Sequence, residues 1–348
     1  AHRDLHSFPT RRSSDLVGMV FAASSTWNTN SPFKLRTISG LPSEAVPFEM
    51  IVTANQTAAF PYYKVFPFTV NLSLNQAGWP INLGGASQSS PILVDINNDS
   101  KLEVVYADHA GIVSVKSPAG GTSQASGFPL NLGSATVGSI AMSNLQNNGT
   151  YGFAASLSNS NVVAFNSNGT LLWTSPAGGV LRSGPVIATL TDPASPKVIA
   201  ATQNGKIVAF NPDGTAVPNF PVTLTGAFMA SPSVADLTGD GNLEIIAVSG
   251  SGTVNAINPL TGENISGFPV TLNGGSQNAV TIANLDSDPH PEILIATSTT
   301  GFLYALNHDG SILFQKNIGS AIKTSPIVAD INNDGNKEII LITGAGVV

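Results

Sequence analysis

The stretch ADINNDGNKEII, residues 329–340, packs Asp330, Asn332, Asp334 and Glu338 into nine positions with apolar runs on either side. Alone it fits a metal loop, a surface turn or a repeat marker, and spacing decides among these. Similar loop starts recur at Asp95, Asn144, Thr189, Asp236, Asn284 and Asp330, at intervals of 49, 45, 47, 48 and 46 residues. An aromatic residue precedes each by 16 positions: Trp79, Phe128, Trp173, Phe220, Phe268 and Phe314. Four of these aromatics are followed by proline. A third marker follows each of the first five loops: GIVSV, NVVAF, GKIVAF, GTVNAI and GFLYAL. Three markers held in register over six units define an internal repeat of about 47 residues.

Each unit reads as four strands. The first carries the aromatic (FPVTL), the second is short and apolar (SPSVAD), and the third follows the acidic loop (LEIIAV). The fourth alternates, so that Phe302, Tyr304 and Leu306 of FLYALN share one face. NSNG, NPDG and NHDG then supply turn residues that tolerate positive φ. Four strands in a unit of this length predict an all-β fold, a β-propeller of four-stranded blades. Gly346 stands where the fourth strand of unit six begins, two residues before the last. The expectation is therefore five complete blades plus a truncated sixth, from a parent ring of about six to eight blades.

Residues 17–77 do not follow the repeat. FEMIVTANQ and YKVFPFTVNLSL read as two strands about a polar turn, a short β-rich segment like the tail of a β-sandwich domain. Residues 78–348 form the propeller. SFPTRRSSDL, Ser7 to Leu16, resembles a translated sequencing-adapter end, so residues 1–16 are set aside from fold reasoning as a disordered artefact.

Composition narrows the function classes. Charged residues are 10%, while Gly and Pro number 34 and 23, as many short strands and tight turns require. A net charge of −7 without a basic cluster argues against nucleic acid. With no cysteine the fold has no disulfides. No apolar run reaches the roughly 18 residues of a membrane span.

Four loops keep the full acidic pattern: DINNDSKLE (95–103), DLTGDGNLE (236–244), NLDSDPHPE (284–292) and DINNDGNKE (330–338). They hold 12 of the 21 acidic residues of the chain, far more than an even spread would give. Oxygen-bearing side chains at positions 1, 3, 5 and 9 suit a hard cation. Calcium takes about six to eight oxygens at about 2.3–2.6 Å in a flexible shell. Position 7 (Lys101, Asn242, His290, Asn336) can offer its backbone carbonyl, which leaves its side chain free to vary. The alternative is an Asx-turn that closes the strands without metal.

Hydrophobic-Asp-x-[Asp/Asn]-x-Asp-Gly-x-x-Glu between strands, repeated at this period, resembles the FG-GAP/VCBS repeats of integrin-α-type β-propellers. The resemblance covers residues 78–348. It implies calcium in the loops, an extracellular or cell-surface setting, and adhesion or partner binding. Carried over by position, the ligands are Asp95, Asn97, Asp99 and Glu103; Asp236, Thr238, Asp240 and Glu244; Asn284, Asp286, Asp288 and Glu292; and Asp330, Asn332, Asp334 and Glu338. Unit two (NLQNNGTYG) has no acid and unit three (TLTDPASPK) only Asp192, off register, so both are expected to be metal-free. Thr238 is a weak ligand, and Pro289 and Pro291 stiffen the third full loop.

GKIVAFNPDGT and GFLYALNHDGSILF also resemble the PQQ-like repeats of quinoproteins. A quinoprotein needs a regular tryptophan ring, and the chain has only Trp27, Trp79 and Trp173. A polysaccharide-lyase propeller needs a basic residue in a cleft. His109, His290 and His308 have no partner adjacent in sequence. No G-x-S-x-G, H-E-x-x-H or Walker motif occurs. The expected function is thus a non-catalytic, calcium-stabilised binding or scaffold module of a bacterial secreted or surface protein. Its expected ligand is a protein or a glycan, and no catalytic residue is assigned. The alternative is an enzymatic or cofactor-binding propeller of the quinoprotein or lyase kind.

Overall fold

The computed structural model describes the strands at 4–6, 20–22, 45–54 and 62–71, and the chain from 79 to 346 apart from 84, 88 and 119–124. The chain divides into two compact units, Ala1–Pro80 and Ile81–Val348. In the first, Ala45–Ala54 pairs antiparallel with Tyr62–Asn71, the two strands read around the polar turn. Asp4–His6, in the stretch set aside, pairs antiparallel with Val20–Ala22 beyond it.

The second unit is a β-propeller, and its described residues contain no α-helix. Blade 1 joins Ile92–Val94, Glu103–Ala107, Ile112–Lys116 and Leu130–Asn131 in that order, each strand antiparallel to the next. Blades 2, 3, 4 and 5 repeat this arrangement over residues 136–176, 186–223, 233–271 and 281–317. Blade 6 pairs Ile327–Ala329 with Glu338–Ile340. The expected count of five four-stranded blades and a partial sixth is therefore the observed one.

One boundary is corrected. The aromatic strand does not open the blade of its own unit; it closes the preceding one. Leu130 of unit two pairs with Val113 of unit one, and Val270 of unit five with Val254 of unit four. Proline sets the length of this closing strand. After Phe128-Pro129, Phe220-Pro221 and Phe268-Pro269 it has two residues, whereas Leu171–Pro176 and Ile312–Asn317, whose aromatics lack the proline, have six. Proline has no N–H to donate to the ladder, so pairing starts beyond it.

Neighbouring blades share cores face to face. Val105, Val113 and Phe128 of blade 1 pack on Ile140, Phe153 and Phe165 of blade 2. Ile246, Val254 and Phe268 of blade 4 pack on Ile293, Tyr304 and Leu306 of blade 5. Alternate residues of one strand serve opposite neighbours, Ile245 facing blade 3 and Ile246 facing blade 5. That is why Glu244–Val248 and Glu292–Ala296 are buried throughout and show no polar alternation. The constant aromatic positions thus have a structural cause: Phe128, Phe220 and Phe268 are core residues. On the outer faces of the first and last blades, Leu93 and Ile327 are 61% and 60% exposed.

The glycine that opens the third marker has a steric reason. Gly252 has φ +97°, and a Cβ there would lie 2.7 Å from the Gly274 carbonyl oxygen and 2.8 Å from that of Leu272. Gly252→Ala is therefore expected to cost about 2 kcal/mol. A denaturant titration checks this, and an unchanged midpoint at unchanged slope would contradict it.

Candidate metal centre

Every full acidic loop begins at the end of a blade's innermost strand and ends at the start of the second. Its last residue is a glutamate with a fixed job. The Glu103, Glu244, Glu292 and Glu338 Oε2 atoms accept the backbone N–H of Ile96, Leu237, Leu285 and Ile331 respectively. Each glutamate thereby ties its loop back to its strand. Glu244 and Glu292 are completely buried, Glu103 nearly so, and Glu338 half-buried.

The first carboxylate organises the turn. Asp95 accepts from the N–H groups of Asp99 (3.0 Å) and Ser100 (2.7 Å), and Asp330 from those of Asp334 (3.1 Å) and Gly335 (2.9 Å). Asp236 accepts from Gly239, Asp240 and Gly241. The third-position amides do similar work, since Asn97 and Asn332 Oδ1 accept from Asp99 and Asp334. Positions 4 and 6 take positive φ in these loops: Asn98 and Ser100, Gly239 and Gly241, Asn333 and Gly335. The acid-free loop of unit two adopts the same turn, with Asn147 and Gly149 at positive φ and Asn144 Oδ1 accepting from Asn148 N–H. The turn therefore does not require charge. Carboxylates at positions 1 and 5 exceed what the backbone demands.

The loop at 284–292 is built differently. Pro289 stands at position 6, where proline cannot take positive φ. Asp288 N–H donates to Asp286 (2.8 Å), His290 N–H donates to Asp288 (2.7 Å), and Asn284 Nδ2 donates to the Asp288 carbonyl (2.8 Å). The result is a convergence. Asp286, Asp288 and Glu292 each offer an oxygen, all within 4.8 Å of one another, and among the described residues this is the one acidic or imidazole triad so arranged. Oxygens on opposite sides of an ion bound at about 2.4 Å lie about 4.8 Å apart, so the span fits a hard cation of calcium size.

A second observation points the same way. Glu292 Oε1 is buried without a hydrogen-bond partner, although its companion oxygen is occupied. A buried, unpaired carboxylate oxygen is costly unless a cation or proton meets it. Glu244 Oε1 is orphaned likewise, and burial pushes the Glu244 carboxyl above the usual glutamate range, with Asp240 and Asp236 adding to the rise. Asp240 and Asp334 go the other way. Hydrogen bonds from the Asn242 and Asn336 N–H groups hold them below the usual aspartate range, so both are anionic at neutral pH. Of the residues assigned by position, the structure thus gathers Asp286, Asp288 and Glu292. The carboxylates at 95–103, 236–244 and 330–338 do not converge as closely, both oxygens of Asp95, Asp236 and Asp330 being engaged by turn N–H groups.

Three neighbours of the third loop lie far away in sequence. His308 Nδ1 stands 3.9 Å from Asp288 Oδ2, and its ring stacks on His290 at 4.1 Å. Lys337 Nζ, from the next acidic loop, donates to the Asn284 carbonyl (2.9 Å). His290 also rests on the preceding loop: a Cβ on Gly239 would lie 2.9 Å from its Cε1. No motif flags these contacts, because blade packing creates them.

The architecture defines a β-propeller, and comparison with known proteins adds a repeat family for part of it. Residues 284–341, from the third full loop through blade 6, match the family model of the FG-GAP-like repeat. No curated protein sequence matches the chain. Among solved structures, the V. cholerae biofilm matrix protein Bap1 is similar with a TM-score of 0.53 at 17% identity, over 70% of this chain and 42% of that one. The chain thus spans under half of that protein. BBS1N, crystallised in complex with ARL6DN, gives a TM-score of 0.51 at 11% identity, over 78% of this chain and 91% of that one. At such identities the likeness is one of fold.

Proposed function

We propose that the propeller is a non-catalytic binding or scaffold module of a secreted or cell-surface protein, stabilised by calcium in its blade loops. The observation that carries the metal reading is the orphaned, fully buried Glu292 Oε1 within a triad of calcium-compatible span. Asp286, Asp288 and Glu292 would hold the ion, with the His290 carbonyl and Asn284 as further oxygen donors. The loops at 95–103, 236–244 and 330–338 are weaker sites of the same kind. The FG-GAP-like match supports an adhesion or scaffold role. The similar folds come from a biofilm matrix protein and from a protein–protein complex, contexts that suit a protein or glycan ligand. We also propose that residues 17–77 end a β-sandwich-like domain ahead of the propeller at 78–348, and that residues 1–16 are adapter-derived.

Bound calcium would neutralise repulsion among three clustered carboxylates and tie the loop to the second strand. Sites of extracellular grade, with dissociation constants near 10⁻⁴–10⁻³ M, add about 1 kcal/mol each at millimolar calcium. A thermal melt of the full chain is expected to rise by several degrees between EDTA and about 2 mM calcium. The Asp286→Ala, Asp288→Ala double variant should lose much of that rise. An identical melt in both buffers would sink the calcium reading.

A further inference from the structure

The acidic loops leave the innermost strands at one end. At the other end, residues from five consecutive units converge on a concavity of about 360 Å³. Ser139 comes from unit two, Arg182 and Ser183 from unit three, Met229 from unit four, Gln277 from unit five and Ser325 from unit six. Arg182, Met229 and Gln277 are equivalent by the repeat, each seven residues before its loop start. The same framework therefore presents a different side chain at this position in units three, four and five, and unit three presents a guanidinium.

The chemistry of the lining is one-sided. None of the lining residues carries a carboxylate. Arg182 is exposed, is the only arginine among residues 79–346, and makes no ion pair or hydrogen bond among the described residues. The Ser183 hydroxyl and the Gln277 side-chain amide are likewise without a protein partner there. The acidic loops leave the opposite ends of the innermost strands, and Asp108, which follows the second strand of blade 1, does not line the concavity. Arg182 is thus the one charged side chain of the lining, although the chain carries a net charge of −7. A guanidinium offers a planar fork matched to a carboxylate, and a concave site without a competing acid leaves that fork open.

We infer that this concavity binds a small carboxylate-bearing ligand, gripped by the Arg182 fork and steadied by Ser183 and Gln277. The hydroxyl- and amide-bearing walls favour an acidic sugar over a simple organic acid; the carboxylate is common to both. Calorimetric titration of the full chain with galacturonate, galactose and succinate tests the assignment. Galacturonate is expected to bind at millimolar concentration and galactose not to bind. Arg182→Gln should weaken binding at least about tenfold, the worth of one charge-assisted hydrogen bond. Arg182→Lys should weaken it less, because a point charge keeps the attraction without the fork. Lys316→Gln, on an outer strand, controls for net charge and should change nothing. Succinate binding equal to galacturonate would keep the site and assign it to organic acids. Equal galactose binding, full binding by Arg182→Gln with an unchanged melt, or no binding of either carboxylate would overturn the proposal.

Discussion

Phe153→Ala is expected to destabilise the propeller by about 3–5 kcal/mol, the cost of emptying a fully enclosed aromatic site. Phe153 has no exposed surface. It lies opposite Phe165 across the two middle strands of blade 2, and the rings stack at 5.2 Å with an 11° interplanar angle. Both rings belong to the core that blade 2 shares with blade 1. The loss therefore falls on the contact between blades as well as within one. Strand pairing on either side fixes the backbone, so the walls cannot close around the void. Leu157→Ala, on the same face, should cost about 2–5 kcal/mol. Urea denaturation with fitted slopes reads both, and a Phe153→Ala loss below 1 kcal/mol would contradict a shared, rigid core.

The second large effect belongs to Glu244, and two variants separate its roles. Glu244→Ala removes the acceptor of the Leu237 N–H, inside a fully buried segment. A stranded buried donor plus the lost side chain should cost about 3 kcal/mol. Glu244→Gln keeps an acceptor oxygen and removes the buried charge. Without calcium, Glu244→Gln should match or exceed the parent in stability; with calcium, it should gain less than the parent does. Its pH dependence gives a further check. Burial raises the folded pKa of Glu244, so the native state holds this proton more readily than the unfolded chain. The associated stability is fully present below the unfolded glutamate pKa and is lost as pH rises through the raised folded value. Glu244→Gln should flatten that slope in EDTA. An unchanged slope would show that the carboxylate is not desolvated as its burial implies.

Much of this fold can be read from residue spacing, for a physical reason. Each blade must bury both faces, so apolar strands, turn glycines and core aromatics recur wherever a blade recurs. Hence Phe128, Phe220 and Phe268 mark the architecture before any coordinates are known. The seam between units is harder to read. Strand pairing is a long-range choice, and nothing in GFPLNL says that Leu130 will join Val113 behind it rather than the strand ahead. The metal loop is legible in part. Composition locates the four loops, but it does not reveal that backbone amides occupy Asp95, Asp236 and Asp330 while Asp286, Asp288 and Glu292 converge. Pro289 is the sequence difference that accompanies this, since it bars the positive φ seen at the corresponding Ser100, Gly241 and Gly335. His308 and Arg182 could not be singled out. Each acquires its neighbours from other parts of the chain, and ring position is invisible in a linear order.

The one-strand offset between unit and blade bears on how such a chain can grow. A gene segment that encodes one unit does not encode one blade. It encodes three strands of a blade and the closing strand of the blade before it. Copied and inserted in tandem, that segment still yields whole blades, because each new copy donates its aromatic strand backwards and receives one from the copy that follows. The constant 16-residue step from aromatic to loop start keeps each junction in register, even where the proline or the acids are missing. The chain can thus lengthen by recombination without creating a mismatched junction, and the variable residue ahead of each innermost strand remains free to diversify afterwards.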